Sequence, residues 1–151
     1  MIPIQSTKTV ILTPPQLKDD GDLASNTYVD TLGYAHLRVI IATGTMDEAL
    51  GSTAEGTAVY LEECDTTDGS YDSLSSTPGA LLADAIAATE DDSIFIIDLD
   101  LRGRKRYIEV NAPHAGNGTT GVNACILGIL SKAQIHPDSA TEAGAAEWIK
   151  V

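Results

Sequence analysis

Apolar and polar side chains alternate along most of this chain with the two-residue period of a β-strand. Within residues 93–101, for example, Ile97 and Leu99 face one side, whereas Asp98 and Asp100 face the other. The pattern predicts strands in eight stretches, Thr7–Thr13, Asn26–Thr31, Tyr34–Thr43, Thr57–Cys64, Ser93–Leu101, Lys105–Ala112, Val122–Ala133 and Glu147–Val151. Clusters of Gly, Pro, Asp and Asn separate these stretches and are typical of turns.

Eight short strands divided by turns predict an all-β protein, a jelly-roll-like antiparallel β-sandwich with at most one short helix. The segment Gly79–Glu90 leaves two alternatives open, a helix after Pro78 or a strand with a loop. We expect residues 1–151 to form a single β-sandwich domain, with an N-terminal arm at residues 1–8 and a C-terminal strand at residues 147–151.

Charge narrows the range of partners. The 151 residues include 22 acidic and nine basic side chains, for a formal net charge of −13 at pH 7. Such a surface repels nucleic acid and anionic lipid. The sequence shows no secretory signal and no window near the roughly 18 apolar residues of a membrane-spanning helix. We therefore expect a soluble protein that binds neither nucleic acid nor membrane.

Candidate catalytic residues are few. His36, His114 and His136 are the three histidines, and no nucleophile motif such as G-x-S-x-G accompanies them. Cys64 and Cys125 each lie in an apolar stretch, where two buried thiols are favoured over a disulfide and no zinc-ligand spacing occurs. These observations favour a protein that is not an enzyme and carries no cofactor.

Two aspartate-rich turns raise the question of calcium. Asp65, Asp68 and Asp72 surround Gly69, and a similar cluster occupies residues 18–22. Closely spaced carboxylates supply the oxygen ligands that Ca²⁺ requires, but neither stretch matches the twelve-residue calcium loop. Because Asp-Gly is also the ordinary composition of a tight turn, the structural interpretation is favoured and no metal site is predicted.

The stretch RGRKR concentrates positive charge in an acidic chain, because it holds four of the nine basic residues. Gly103 falls where a tight turn requires a positive φ, and both flanks alternate, so the pattern predicts a β-hairpin tip. Cross-strand pairing of Asp100 with Lys105 or Arg106 would leave two cations without a partner. We therefore predict that Arg102, Arg104, Lys105 and Arg106 meet an acidic surface of a neighbouring subunit or partner protein, with a solvated tip and nucleic-acid binding as the alternatives.

Four longer stretches form a recognisable set. They are YVDTLGYAHLRVIIATGTMD, AVYLEECDTTDGSYDSL, IFIIDLDLRGRKRYIEV and NACILGILSKAQ, in this order between about Tyr28 and Gln134. As a set they resemble small proteins of tailed bacteriophages. Those phage proteins are structural parts of the virion, and this chain resembles a head decoration, or cement, protein.

The resemblance implies a non-enzymatic capsid decoration protein on the exterior of the virion, assembled in the host cytoplasm. Its partner would be the major capsid protein of an HK97-like shell, and self-association as a trimer would suit a three-fold position. A tail or neck component, or a carbohydrate-binding module for host attachment, are the alternatives. The family supplies no binding residues that can be transferred to this chain.

The chain ends carry apolar residues that an interface would use. Ile2 and Ile4 lie near the N-terminus, and Trp148 and Ile149 lie near the C-terminus. Trp148 is the sole tryptophan, a residue type enriched in interface anchors. We predict these four residues as interface residues, with ordinary edge pairing inside the domain as the alternative.

Overall fold

The computed structural model describes residues 6–18, 23, 28–51, 59–74, 86–112, 121–132, 141 and 145. Eight strands run through these residues: β1 (Lys8–Lys18), β2 (Tyr28–Asp30), β3 (His36–Met46), β4 (Tyr60–Cys64), β5 (Asp72–Ser73), β6 (Ile94–Asp100), β7 (Tyr107–Asn111) and β8 (Val122–Ser131). None of the residues in these ranges lies in an α-helix. The described segments accordingly contain no helix that is long and apolar enough to cross a membrane.

The strands form two four-stranded antiparallel sheets, in the orders β1-β8-β3-β6 and β2-β7-β4-β5. Strand β1 pairs with β8, β2 with β7, β3 with β6 and β4 with β5. This nested pairing is that of one long hairpin folded over itself, which is the jelly roll. The all-β, jelly-roll prediction is therefore confirmed.

The core lies between the two sheets and is built from the inward residues of the alternating pattern. Leu37, Val39 and Ile41 of β3 are fully buried, as are Ile126 and Leu130 of β8. At Gly128, in the middle of β8, an added Cβ would lie 3.4 Å from side-chain carbons of Leu12 and Leu37 in the same sheet and 3.7 Å from Val29 in the opposite sheet. The glycine thus leaves room for core side chains of both sheets.

Strand β1 differs from its prediction, since it continues through Pro14 and Pro15 to Lys18. Its register with β8 shifts between Ile11 and Thr13 and again between Thr13 and Gln16. Proline lacks the N–H that a sheet requires, but an edge strand with bulges tolerates it. Strand β1 can continue through the two prolines because it lies at the edge of its sheet, and the local sequence does not reveal that position.

The remaining sequence predictions fall partly outside the described residues. Of the segment 79–90, the structure describes residues 86–90, where Ile86 forms an isolated bridge with Leu50. The N-terminal residues 1–5 and the predicted C-terminal strand 147–151 lie outside the described residues, so Ile2, Ile4, Trp148 and Ile149 stay predictions.

Candidate functional site

The RGRKR stretch is not the tip of a β-hairpin, because β6 and β7 belong to different sheets. Residues 101–106 instead connect the two sheets at one end of the sandwich. Gly103 has the positive φ that was predicted, +77°, and the amide of Arg104 donates to the carbonyl of Leu101 over 3.1 Å. The turn was thus recognised correctly, but the pairing of the strands on either side was wrong.

Each of the four cations of this basic connection, Arg102 to Arg106, contacts a carboxylate of its own chain. The pairs are Arg102 with Asp100, Arg104 with Glu63 (3.6 Å), Lys105 with Asp72 (2.6 Å) and Arg106 with Asp30 (2.7 Å). The prediction that two cations lack an intramolecular partner is therefore wrong. Three of the acids come from β2, β4 and β5, so the connection links the strands around β7 electrostatically.

The ion pairs also change the titration of their acids. Hydrogen bonds from the guanidinium of Arg106 lower the pKa of Asp30, and hydrogen bonds from Arg102 lower the pKa of Asp100. The side chain of Arg102 remains 84% exposed, whereas that of Arg104 is 37% exposed. Arg102 is therefore the cation of this connection that is most accessible to a partner.

Aromatic rings adjoin the basic connection on the outer face of the β2-β7-β4-β5 sheet. The guanidinium carbon of Arg106 lies 5.0 Å from the ring centre of Tyr107. The rings of Tyr28 and Tyr107 meet edge to face at 5.2 Å. Stacking of this kind fixes Arg106 and covers one face of Tyr107.

The outer face of the other sheet carries an apolar row, which we define as Ile11, Leu127, Ile40 and Ile96. Strand register places these four residues side by side across β1, β8, β3 and β6. Ile11 is 58% exposed and Ile96 is 49% exposed at the two ends of the row. Ile94, which is 67% exposed, lies on the same face of β6 and opposite Ala42.

Isolated exposed apolar side chains are normal, but four adjacent apolar side chains on an outer face form a candidate interaction surface, in which Ile40 and Leu127 are half-buried between the exposed Ile11 and Ile96. Sequence reasoning missed the row, although a signal was present. Strands β3, β6 and β8 contain apolar runs such as IFII and CILGIL, which are apolar on both faces instead of alternating. In a two-layer sandwich only one of those faces packs against the core, and none of the described strands packs against the other.

His36 lies on this same outer face, within a shallow open depression that Arg38, Ile129, Ser131 and Lys132 also line. Its Nδ1 is 3.2 Å from the hydroxyl of Ser131, and its Nε2 is 3.4 Å from a carboxylate oxygen of Asp98. Ser131, His36 and Asp98 are therefore linked in the order of a Ser-His-Asp triad. His114 and His136 lie outside the described residues.

Two features of the geometry argue against catalysis by this group. Arg38 donates two hydrogen bonds to Asp98, at 2.7 and 2.8 Å, and lowers the pKa of that carboxyl, so its charge is already compensated. In addition, His36 and Ser131 are strand residues opposite one another, where the backbone amides serve the sheet instead of an oxyanion.

The aspartates considered for calcium do not assemble into a cluster. Asp72 pairs with Lys105, and Asp65 and Asp68 are exposed. Within the described ranges, no three or more His, Cys, Asp or Glu side chains are grouped closely enough to hold a metal ion. Cys64 and Cys125 are free thiols, with Cys64 buried and Cys125 partly exposed. The second aspartate turn, at residues 18–22, is described only at Lys18.

No protein-family model matches the chain, and neither the curated proteins nor the solved structures that were compared with it give a match. The resemblance to phage decoration proteins therefore rests on the sequence stretches alone.

Proposed function

We propose that this chain is a non-enzymatic structural protein of a tailed-phage virion, which decorates the outside of an HK97-like capsid shell by binding the major capsid protein. The observation that carries the proposal is the apolar row on the outer face of the β1-β8-β3-β6 sheet. An apolar row that crosses four paired strands suits a broad protein surface. Binding of this kind needs no catalytic cleft.

The distribution of charge supports a protein partner over nucleic acid. The net charge is −13, and each cation of the basic connection already contacts an acid of the same chain. Phosphate recognition requires cations that remain free to neutralise the backbone. The acidic surface instead keeps the protein soluble until an apolar contact is made.

A carbohydrate-binding function has weaker support. Sugar platforms use aromatic rings whose faces are open to the ligand, and Arg106 covers one face of Tyr107. Tyr28 is 41% exposed, but its edge-to-face contact with Tyr107 sets the two rings nearly perpendicular, at 81°. Two perpendicular rings do not form the flat platform on which a sugar chain stacks.

Co-sedimentation of the purified protein with capsid shells of the encoding phage tests the proposal. We expect saturable binding with a stoichiometry set by the symmetry of the shell. The double variant Ile40→Thr/Ile96→Thr removes apolar area from the row while keeping residues that favour strands, and it is expected to lose binding by tenfold or more. The control Leu32→Thr changes a side chain that is 67% exposed but lies in a turn outside the row, and it should bind normally.

A second variant, Arg102→Gln, distinguishes capsid binding through the apolar row from binding through the basic connection. Loss of binding in this variant alone would move the contact to the basic connection. Absence of binding by the wild-type protein would refute the decoration role. Fractionation of virions into heads and tails, followed by glycan arrays, would then distinguish a tail component from a carbohydrate-binding module.

A further inference from the structure

Among the described strands at sheet edges, β6 is the one that is both long and regular. Of the four strands at sheet edges, β2 has three residues and β5 has two, and β1 is interrupted by two prolines and two register shifts. Such short or bulged edges prevent pairing with other chains. Strand β6 has seven residues, Ile94–Asp100, which pair with β3 in a continuous register without a bulge.

The backbone groups of alternate β6 residues point away from the sheet. The amide of Thr43 donates to the carbonyl of Ser93, and the amide of Leu101 donates to the carbonyl of Ala35, so the odd-numbered residues face β3. By the alternation of an antiparallel ladder, the N–H and C=O groups of Ile94, Ile96 and Asp98 point to the free edge. No described residue outside β3 pairs with the β6 backbone.

We propose that the free edge of β6 pairs with β6 of a second copy of this chain, antiparallel and around a two-fold axis at Phe95. In that register Ile94 of each copy lies opposite Ile96 of the other, so the outward isoleucines pair with each other. Moving the axis to Ile97 would instead place Ile94 opposite Asp100 and Ile96 opposite Asp98. The apolar residues of β6 are thus complementary to those of a second β6. Their order favours another copy of this chain as the partner, and it favours the register with the axis at Phe95.

Continuity of the apolar row also favours a second copy. The row ends at Ile96 on β6, with Ile94 beside it, and the two-fold axis joins two such rows into one band across eight strands.

The same register places Asp98 opposite Asp92, but Arg38 already compensates the charge of Asp98 through two hydrogen bonds. The net charge of each copy opposes pairing, so added salt should strengthen it. This inference does not depend on binding to a capsid.

Analytical ultracentrifugation of the wild-type protein, over a range of concentrations at low and high NaCl, tests the association. We expect a dimer whose dissociation constant falls as salt rises. In Ile96→Pro the lost N–H is one that points to the free edge, so the sheet is retained while strand addition is blocked. We expect this variant to dimerise about tenfold more weakly or worse. Leu32→Thr, which changes an exposed side chain in a turn outside the row and outside β6, should dimerise like the wild type.

A cysteine at the two-fold axis tests the register directly. Phe95→Cys places two thiols opposite each other at a pair whose Cα separation suits a disulfide, so oxidation should give a covalent dimer on a non-reducing gel. Ser93→Cys, whose opposite residue would be Ile97, should not cross-link. Circular dichroism checks that each variant is folded. A wild-type monomer at all concentrations, a trimer, unchanged dimerisation of folded Ile96→Pro, or equal cross-linking of both cysteine variants would overturn the proposal.

Discussion

The outer face of the β2-β7-β4-β5 sheet carries a pair of like charges and a pair of opposite charges, which should affect stability in opposite directions. Glu62 of β4 and Glu109 of β7 lie directly opposite each other, and like charges in that position destabilise a sheet. Burial raises the pKa of Glu109, and the neighbouring charge of Glu62 raises it further. Just before the start of β7, Arg106 forms a pair of opposite charge with Asp30 of β2. Two pH dependences of opposite sign follow.

Replacing Glu109 with Gln should stabilise the protein at neutral pH. Since the pKa of Glu109 is raised on folding, its contribution to stability is fully present below the unfolded pKa of about 4.3 and is lost as pH rises through the folded pKa. The advantage of Glu109→Gln should therefore vanish at about pH 4 and below. Urea denaturation at pH 3.5 and pH 7 measures this difference, and equal gains at both pH values would contradict it.

Replacing Asp30 with Asn should have the opposite effect. Arg106 lowers the pKa of Asp30, so the stabilisation is present above the unfolded pKa of about 3.9 and is lost as pH falls through the folded pKa. We expect Asp30→Asn to melt below the wild type at pH 7 and to approach it at about pH 2. Thermal melts at both pH values provide the check, with Asp68→Asn, an exposed aspartate in a turn, as the control.

At the scale of an element, β3 shows how one strand can serve two surfaces. It is the third strand of its sheet, and it pairs with β8 on one side and β6 on the other. Ile41 points inward and is fully buried, whereas its neighbour Ile40 belongs to the outward apolar row. Both are isoleucines in the same strand, so their different roles come only from the face on which they lie.

Truncating the two isoleucines separately tests this division. Ile41→Ala should lower the free energy of unfolding by about 2–5 kcal/mol, because it leaves a cavity between the sheets. Ile40→Ala should cost clearly less, since no opposite sheet among the described strands packs on that face. Chemical denaturation of both variants measures the difference. Equal losses would mean that another part of the chain covers the outer face, and would count against the proposed interface.

At the scale of the whole molecule, the fold is closed by contacts between residues distant in sequence. Among the described strands the first pairs with the last, as in the pairing of Lys8 with Leu130. The basic connection makes ion pairs with strands that precede it by many residues, such as β2 and β4. Because few contacts of such a sandwich are local, its strands cannot become stable one by one, and distant segments must come together first.

Slow folding is the expected consequence. We predict refolding with time constants of about milliseconds to seconds, the range of non-local all-β domains, measured by stopped-flow fluorescence after dilution from denaturant. Some molecules should refold over tens of seconds because the chain has six prolines, and a prolyl isomerase should accelerate that phase alone. Complete refolding within microseconds would contradict the prediction.

The sequence by itself determined the class of fold and most of the strands. Alternation with period two specifies which residues face the core, and the turn residues between the runs specify where strands end, because both are local properties of the backbone. The positive φ of Gly103 was also predictable, since the tight turn at that position requires it. Charge and resemblance suggested the proposed function, whereas the apolar row that supports it follows from strand register.

Only the tertiary structure decided which strands are neighbours and, with that, the nature of both surfaces. The local pattern predicted that β6 and β7 form a hairpin, but in the structure they lie in different sheets. Acids of β2, β4 and β5 therefore lie beside the basic connection. The apolar row likewise exists only because register aligns four strands side by side. Pairing partners are chosen by packing of the whole sandwich, a long-range free energy that no local stretch contains.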